Sequence, residues 1–300
     1  MFGLNYLKSP ASLERAPASP SSAEVTTRAR RIALLRSGRR HGSITRLITP
    51  WDIGELTQPF LFLGYCEFAP GWQPLLAVHP QPGLATLTLV LSGTLGYEDA
   101  AGNERTVTAG GFKWTTPGER VRHDGGRATG EPLRAFQLWM GLAPSPQSSA
   151  AKSRHLAPHE VQEEGPVRVI LGQFGRARSA LALVAPDINY FHVRLRDGEH
   201  WRYVAPERHN VTWLAVDRGG VRLREGERVY WEQIGLFGDS RGVIELQAEG
   251  ETSFVLGSAR RLSNPLMQNN PLIDATLTAL RPGEEGGRRV DQRVPAQGCR

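Results

Sequence analysis

The sequence predicts an all-β protein made of two similar units, and three observations indicate this. Short apolar or alternating segments return about every ten residues, a spacing typical of β-sandwiches and barrels. Turn-forming residues separate them, with 33 Gly and 21 Pro in 300 residues. A histidine, a strand pattern and a Gly turn follow one another twice, at residues 79–93 and 209–220. This weak repeat favours two copies of one β unit.

The first unit is predicted to begin with a hairpin and to continue in strands. Segments 31–36 and 43–48 alternate on either side of a basic turn, which indicates a β-hairpin. Segment 60–68 is continuously apolar and predicts a buried strand. In segment 86–91, Leu alternates with Thr and Val, as in a strand with one face toward a core. Later strands are predicted at 94–98, 105–108, 112–115 and 133–140.

The second unit shows the same style of pattern and ends near a helix. Strands are predicted at 167–171, 190–195, 211–216, 221–223, 243–246 and 253–256. The Gly pairs at 110–111, 125–126 and 219–220 predict hairpin turns. Apolar positions in 271–280 have helical spacing. We therefore expect a disordered leader at 1–26, domains at 27–148 and 149–262, and a C-terminal helix and tail at 263–300.

Composition and charge exclude several classes of protein. Nine Lys and Arg but two Glu lie within residues 1–50, a net charge of +7, so the rest of the chain carries −1 and is nearly neutral. This basic segment lacks interleaved aromatic residues, and we expect a solvated tail leading into the first hairpin, without a nucleic-acid partner. No run of about 18 apolar residues or secretory leader is present, so we expect a cytoplasmic monomer. Cys66 and Cys299 form no disulfide framework or thiolate zinc pattern.

Two motifs resemble those of a known family. His79–Gly93 reads HPQPGLATLTLVLSG, and Trp114–Gly125 reads WTTPGERVRHDG. Both are similar, without gaps, to the two motifs of the pirin family of cupin proteins, and weaker similarity extends over most of the chain. The resemblance implies two tandem cupin domains, each a jelly-roll β-barrel, with iron in the first. Typical members cleave flavonols such as quercetin with oxygen or act as iron-dependent transcription cofactors.

The resemblance also implies a metal-ligand set that this sequence retains only in half. The family's ligands are two histidines of the first motif and a His and a Glu of the second. His79 and His123 are kept, whereas Gln81 and Gly125 replace the other two ligands and Ala85 replaces a further glutamate of the first motif. Gln81, at i+2 from His79, shares its face of the strand and is a weak third ligand. Because iron needs about three strong donors, we expect little bound iron or other divalent metal.

Three hypotheses of function remain open. The first is a pirin-like protein that binds a small ligand or a partner in the first barrel without iron turnover. The second is an iron-dependent quercetin 2,3-dioxygenase, and the third is a regulatory protein acting through a protein or DNA partner. The missing ligands favour the first, and the sequence assigns no catalytic residue. His192, His200 and His209 match no ligand spacing and are expected to be structural.

Overall fold

The computed structural model describes residues 29–71, 84–98, 103–115, 128–142, 154–183, 185–239 and 241–262. These residues are almost entirely β, which confirms the predicted class. A single turn of helix, α1 (Gly54–Thr57), and a 3₁₀ turn (Pro158–Glu160) are the only helical elements within the described ranges, and neither could span a membrane. The predicted leader 1–26 and C-terminal helix and tail 263–300 lie outside the described residues.

Nineteen strands are found in the described part of the chain. In order they are β1 (Ile32–Ser37), β2 (Arg39–His41), β3 (Ile44–Ile48), β4 (Phe60–Phe68), β5 (Leu84–Glu98), β6 (Glu104–Thr108), β7 (Phe112–Thr115), β8 (Ala128–Gly141), β9 (Arg154–Leu156), β10 (Glu163–Glu164), β11 (Val167–Leu171), β12 (Gln173–Phe174), β13 (Ala177–Arg178), β14 (Ile188–Leu195), β15 (His200–Tyr203), β16 (Val211–Leu223), β17 (Arg228–Tyr230), β18 (Gln233–Phe237) and β19 (Ile244–Ala259).

The strands form two large antiparallel sheets. The first sheet has the order β2-β3-β4-β8-β5-β7-β9, with β6 paired to β5. The second has the order β1-β18-β16-β19-β14-β11-β10, with β15 paired to β19 and β17 paired to β16. Strands β4 and β14 are buried on both faces apart from one residue each, which explains continuous apolar runs such as 60–68.

The predicted hairpin between segments 31–36 and 43–48 is wrong in its pairing. β1 pairs with β18 of the second sheet, from Ile32 opposite Phe237 to Ser37 opposite Gln233, and the tight hairpin is instead β2 with β3. Conversely, β9 pairs with β7 of the first sheet. Local alternation specifies a strand but not its partner, which tertiary packing decides. The boundary predicted between 148 and 149 stays a prediction, and strands from both sides of it cross to the other sheet.

The Gly pair at 219–220 is not the predicted hairpin turn. Segments 211–216 and 221–223 belong to one strand, β16, whose pairing with β19 shifts register between Val216 and Gly220. Gly219 has a φ of +69°, which a residue with a side chain rarely adopts. The pair therefore produces a β-bulge that bends a long strand. The Gly110–Gly111 pair does lie at the turn between β6 and β7.

One apolar cluster joins the two sheets. It includes Leu87, Phe136 and Phe60 of the first sheet together with Tyr190 and Trp213 of the second, all at most 1% exposed. The rings of Phe60 and Trp213 meet edge to face, with their centroids 5.2 Å apart. Separate clusters fill the opposite faces of the two sheets. The interface between the sheets is thus packed as a protein core.

Candidate functional site

The face of the first sheet that points away from the other sheet is polar near one end. Thr88 is paired with Lys113 on one side and Gln137 on the other, and Thr86 is paired with Thr115 and Trp139. Residues at paired positions in neighbouring strands share a face, as do residues at i and i+2. We call this set the polar face; its six residues are Thr86, Thr88, Lys113, Thr115, Gln137 and Trp139.

The polar face combines hydrogen-bonding groups with aromatic rings. Thr88 Oγ1 donates to Gln137 Oε1 at 2.6 Å, which fixes the amide and leaves its NH₂ group directed away from that bond. The Trp139 ring lies 4.7 Å from that of Phe62, centroid to centroid. Lys113 Nζ lies 4.0 Å from the Tyr97 ring centroid, a cation–π contact. Such a surface can hydrogen-bond the edge of a flat polar molecule and contact its faces with rings.

The predicted ligands His79, Gln81, His123 and Gly125 lie outside the described residues. The two segments that contain them, 72–83 and 116–127, are attached to neighbouring strands at the same end of the first sheet. Leu84 begins β5, Thr115 ends β7, and Thr86 is paired with Thr115. The polar face lies at this end. The assembly of a metal-ligand set there stays a prediction.

Ala85, the further position where the family has a glutamate, does not belong to the polar face. It is fully buried, pairs with Met140, and packs in the apolar cluster that joins the sheets. Its interpretation as a lost ligand position stays a prediction. The structure places it on the face opposite to Thr86.

The described residues near this end do not fit an iron centre. Nowhere in the described ranges do three His, Cys, Asp or Glu side chains come together as a metal-binding group. The polar face offers hydroxyls, one amide and the cationic Lys113, which are weak donors for a transition metal or repel it, and His155, paired with Lys113, adds one imidazole beside it. A mononuclear site needs about three strong donors, so the described residues alone do not form one.

The histidines of the second domain are held mainly in structural hydrogen bonds. His209 Nδ1 lies 2.8 Å from Ser258 Oγ, and Ser258 also contacts the Tyr203 hydroxyl at 2.7 Å. Burial lowers the pKa of His209 to about 4, so it is neutral at pH 7. His200 is exposed. His192 is different, because only its Nε2 has a partner, Ser253 Oγ at 2.8 Å.

Sequence reasoning missed two charged residues that the fold buries. Asp217, 4% exposed, stands in β16 beside the bulge, and an acid within an apolar strand run was the available indication. Arg30, 2% exposed, belongs by sequence to the basic leader. Its guanidinium donates to Gly238 O at 2.7 Å and Thr212 Oγ1 at 2.8 Å, so it anchors the start of the described chain to the second sheet.

Comparison with solved structures defines the class of protein. A quercetin 2,3-dioxygenase from Acinetobacter baumannii superimposes with a TM-score of 0.71 at 22% identity, covering 85% of this chain and 98% of that one. Bacterial pirin YhhW from Escherichia coli, solved with nickel(II), gives a TM-score of 0.59 at 19% identity, covering 76% and 99%. At these identities the likeness establishes the fold, which is that of a two-domain cupin protein.

Sequence comparison finds similarity to one family of proteins. Residues 43–140 match the family model described as Pirin. A Pseudomonas aeruginosa protein, whose name provisionally assigns it quercetin 2,3-dioxygenase activity, is 28% identical over 208 residues, 65% of this chain and 72% of its own. A pirin-like protein of Caulobacter vibrioides is 27% identical over 215 residues, 67% and 75%. Residues 43–140 are thus similar to the pirin family, and the similarity to pirin-like relatives extends over about two thirds of the chain.

Proposed function

We propose that the first domain is a ligand-binding module that holds a small flat polar molecule on the polar face, with little or no bound iron. The observation that carries this proposal is the composition of the face. Thr86, Thr88 and Gln137 provide hydrogen-bonding groups beside the Trp139 ring, and His155, paired with Lys113, is the only His or carboxylate at the positions paired with this face in the described strands. Binding needs only these groups, whereas oxygen chemistry needs a strongly held metal.

The ligand class follows from the geometry of the face. A planar molecule with hydroxyl or carbonyl groups on its edge can contact the Trp139 ring and reach the amide of Gln137. Quercetin has this chemistry, and the names of the Pseudomonas and Acinetobacter relatives associate them with it. We therefore choose quercetin as the probe, without requiring its cleavage.

Binding is tested by titrating quercetin against the full-length protein and following quenching of tryptophan fluorescence. In a Thr88→Val/Gln137→Leu variant both partners of the 2.6 Å hydrogen bond become apolar, so the fold is kept. Loss of about 1.4 kcal/mol of hydrogen bonding predicts about tenfold weaker binding. Thr108→Val, an exposed threonine on β6, is the matched control. Equal affinity in all three proteins would exclude the polar face as the site.

The second candidate is iron-dependent quercetin 2,3-dioxygenase activity, favoured by the names of these relatives. It is separated from the first by iron analysis after anaerobic loading with Fe(II). The proposal expects substoichiometric iron that a His79→Ala/His123→Ala variant hardly changes, beside a His41→Ala/His200→Ala control at two exposed histidines. Stoichiometric iron that only the first variant loses, with oxygen uptake on quercetin, would establish the dioxygenase instead.

A further inference from the structure

An open cleft of about 1010 Å³ lies where the first and second sheets meet, beyond the end of the shared apolar cluster. Leu91 and Arg134 line it from the first sheet. His192, Arg194, Asp217 and Ser253 are among the residues that line it from the second. The cleft is separate from the polar face, because Leu91 and the core cluster lie on the opposite side of the first sheet.

Three adjacent strands place a row of polar side chains on the floor of the cleft. β14, β19 and β16 are neighbours and contribute His192, Ser253 and Asp217. Two residues further along the same faces, Tyr190 and Val255 pack into the core cluster. The row of polar side chains therefore begins where the apolar interface between the sheets ends. His192 is 1% exposed and Asp217 is 4% exposed, so both are far more buried than surface groups.

Each end of this row of polar side chains has an atom without a hydrogen-bond partner. His192 Nδ1 and Asp217 Oδ1 are both buried, and neither has a hydrogen-bond partner among the described residues. Ser253 Oγ lies 2.8 Å from His192 Nε2, and which of the two donates depends on the tautomer of the ring. A carboxyl oxygen and a ring nitrogen are thus both presented without a partner among the described residues.

Guanidinium groups supply positive charge near these two unpaired atoms. Burial raises the pKa of Asp217 to about 6, while hydrogen bonding from Ser253 and the charges of Arg134 and Arg194 oppose the rise. Burial and the charges of Arg194 and Arg168 lower the pKa of His192 to about 3, which keeps its ring neutral. Arg134 is fixed by donation from Nε to Ser92 Oγ at 3.0 Å. The two unpaired atoms and the guanidinium groups therefore lie close together in the cleft.

The arrangement is not that of a serine hydrolase. In a catalytic triad the acid holds the histidine ring and the histidine takes the serine proton. Here the acid acts on Ser253 itself, and His192 Nδ1 has no acidic partner within the described ranges. Binding, rather than nucleophilic attack, is the chemistry that fits.

We propose that this cleft binds a small sugar acid, whose carboxylate contacts Arg134 and Arg194 and whose hydroxyls hydrogen-bond to Asp217 Oδ1 and His192 Nδ1. A carboxylate complements paired guanidinium groups. Hydroxyls both donate and accept, so they satisfy Asp217 Oδ1 and either tautomer of His192, whereas a carboxylate alone has no proton to donate at neutral pH.

The walls also favour a polyhydroxylated ligand over an apolar one. Of the side chains that line the cleft, only Leu91, Pro166 and Leu195 are apolar. The rim carries charges of both signs, with Arg196 and Arg218 beside Asp197, Glu199 and Glu251. Hydroxyl groups donate and accept, so a sugar ring can contact both signs. The volume is ample for one hexose-sized molecule.

The test is calorimetric titration of the full-length protein with D-glucuronate at pH 7. D-Glucose lacks the carboxylate, hexanoate lacks the hydroxyls, and inorganic phosphate tests for a general anion site. We expect D-glucuronate to bind at least about tenfold more tightly than each of these three. Binding should weaken with added salt, because the charged contacts are partly screened. On saturation, the side-chain ¹⁵N resonances of His192 should shift.

Variants connect the affinity to the cleft. Arg194→Ala removes an exposed side chain without disturbing the fold, and we expect about tenfold weaker binding. Arg222→Ala, also exposed and outside the cleft, is the matched control and should bind as the wild type does. The His79→Ala/His123→Ala variant should also bind normally, which separates this site from the first domain. Absence of binding at millimolar D-glucuronate, equal binding of phosphate, or equal loss in both arginine variants would overturn the proposal.

Discussion

Replacing Asp217 by asparagine is expected to change how the stability of the protein depends on pH. Burial raises the pKa of Asp217 from 3.8 to about 6. A carboxyl whose pKa is raised on folding favours the folded state fully below its unfolded pKa, and this contribution is lost as pH rises through the folded pKa. For Asp217 the loss begins near pH 4 and is complete above about pH 6 to 7.

The magnitude follows from the two pKa values. A difference of about two corresponds to about 3 kcal/mol of unfolding free energy at pH 8, of which about 1.6 kcal/mol is already lost at pH 5. Asparagine has nearly the same shape and carries no charge. Asp217→Asn should therefore be more stable than the wild type at both pH values, with an advantage about 1.4 kcal/mol larger at pH 8.

In the wild type, His192 makes the stability depend on pH in the opposite direction. Its pKa is lowered from 6.5 to about 3, so its contribution to stability is complete above pH 6.5 and is lost as pH falls. This contribution is present in both proteins and cancels in their difference. Comparing Asp217→Asn with the wild type at each pH therefore isolates the carboxyl.

The assay is urea unfolding followed by tryptophan fluorescence at pH 5, 6, 7 and 8, in buffers without sugar acids. Glu225→Gln, an exposed acid in the turn between β16 and β17, is the control and should differ from the wild type by less than about 0.5 kcal/mol. An advantage for Asp217→Asn that does not change with pH, or a loss of stability at pH 8, would refute the reasoning.

Three further experiments test the packing, two by substitution and one by thiol labelling. Trp213→Ala should cost about 3–5 kcal/mol because it empties the contact with the first sheet, and Trp231→Ala, 46% exposed, should cost under about 0.5 kcal/mol in the same urea assay. Gly257→Ala should cost about 1–3 kcal/mol, since its methyl would clash with the Trp213 ring, and a near-neutral result in thermal unfolding would contradict this contact. Burial raises the pKa of Cys66 to about 12, so in a Cys299→Ser background the thiol should react with a disulfide reagent at pH 8 only after unfolding; rapid labelling of the native protein would show that the site is accessible.

Much of the fold was predictable because local patterns are strong in central strands. Segment 60–68 and the Leu–Thr alternation of 86–91 were assigned correctly, since burial on one or both faces leaves a period in the sequence. The hairpin turn predicted at residues 219–220 was wrong, because a left-handed glycine such as Gly219 occurs in turns and in bulges alike.

The sites were less predictable, for a different physical reason. The two motifs predicted the fold and a candidate site in the first domain, whose histidines lie outside the described residues. The cleft between the sheets has no such motif, because His192, Asp217 and Ser253 come from three strands far apart in the sequence and meet only through strand order. Burial of Arg30 was likewise invisible, since its partners Gly238 and Thr212 lie about 200 residues away.

The pairing of β1 with β18 has a consequence for biosynthesis. Ile32 emerges from the ribosome about 200 residues before its partner Phe237, which at 5–20 residues per second is about 10–40 s. During this interval the first sheet can assemble behind it, while β1 has no edge on which to pair. An unpaired apolar strand is a site where chains associate wrongly. The delay leaves β1 unpaired for this interval, and a chaperone that covers it would prevent such association.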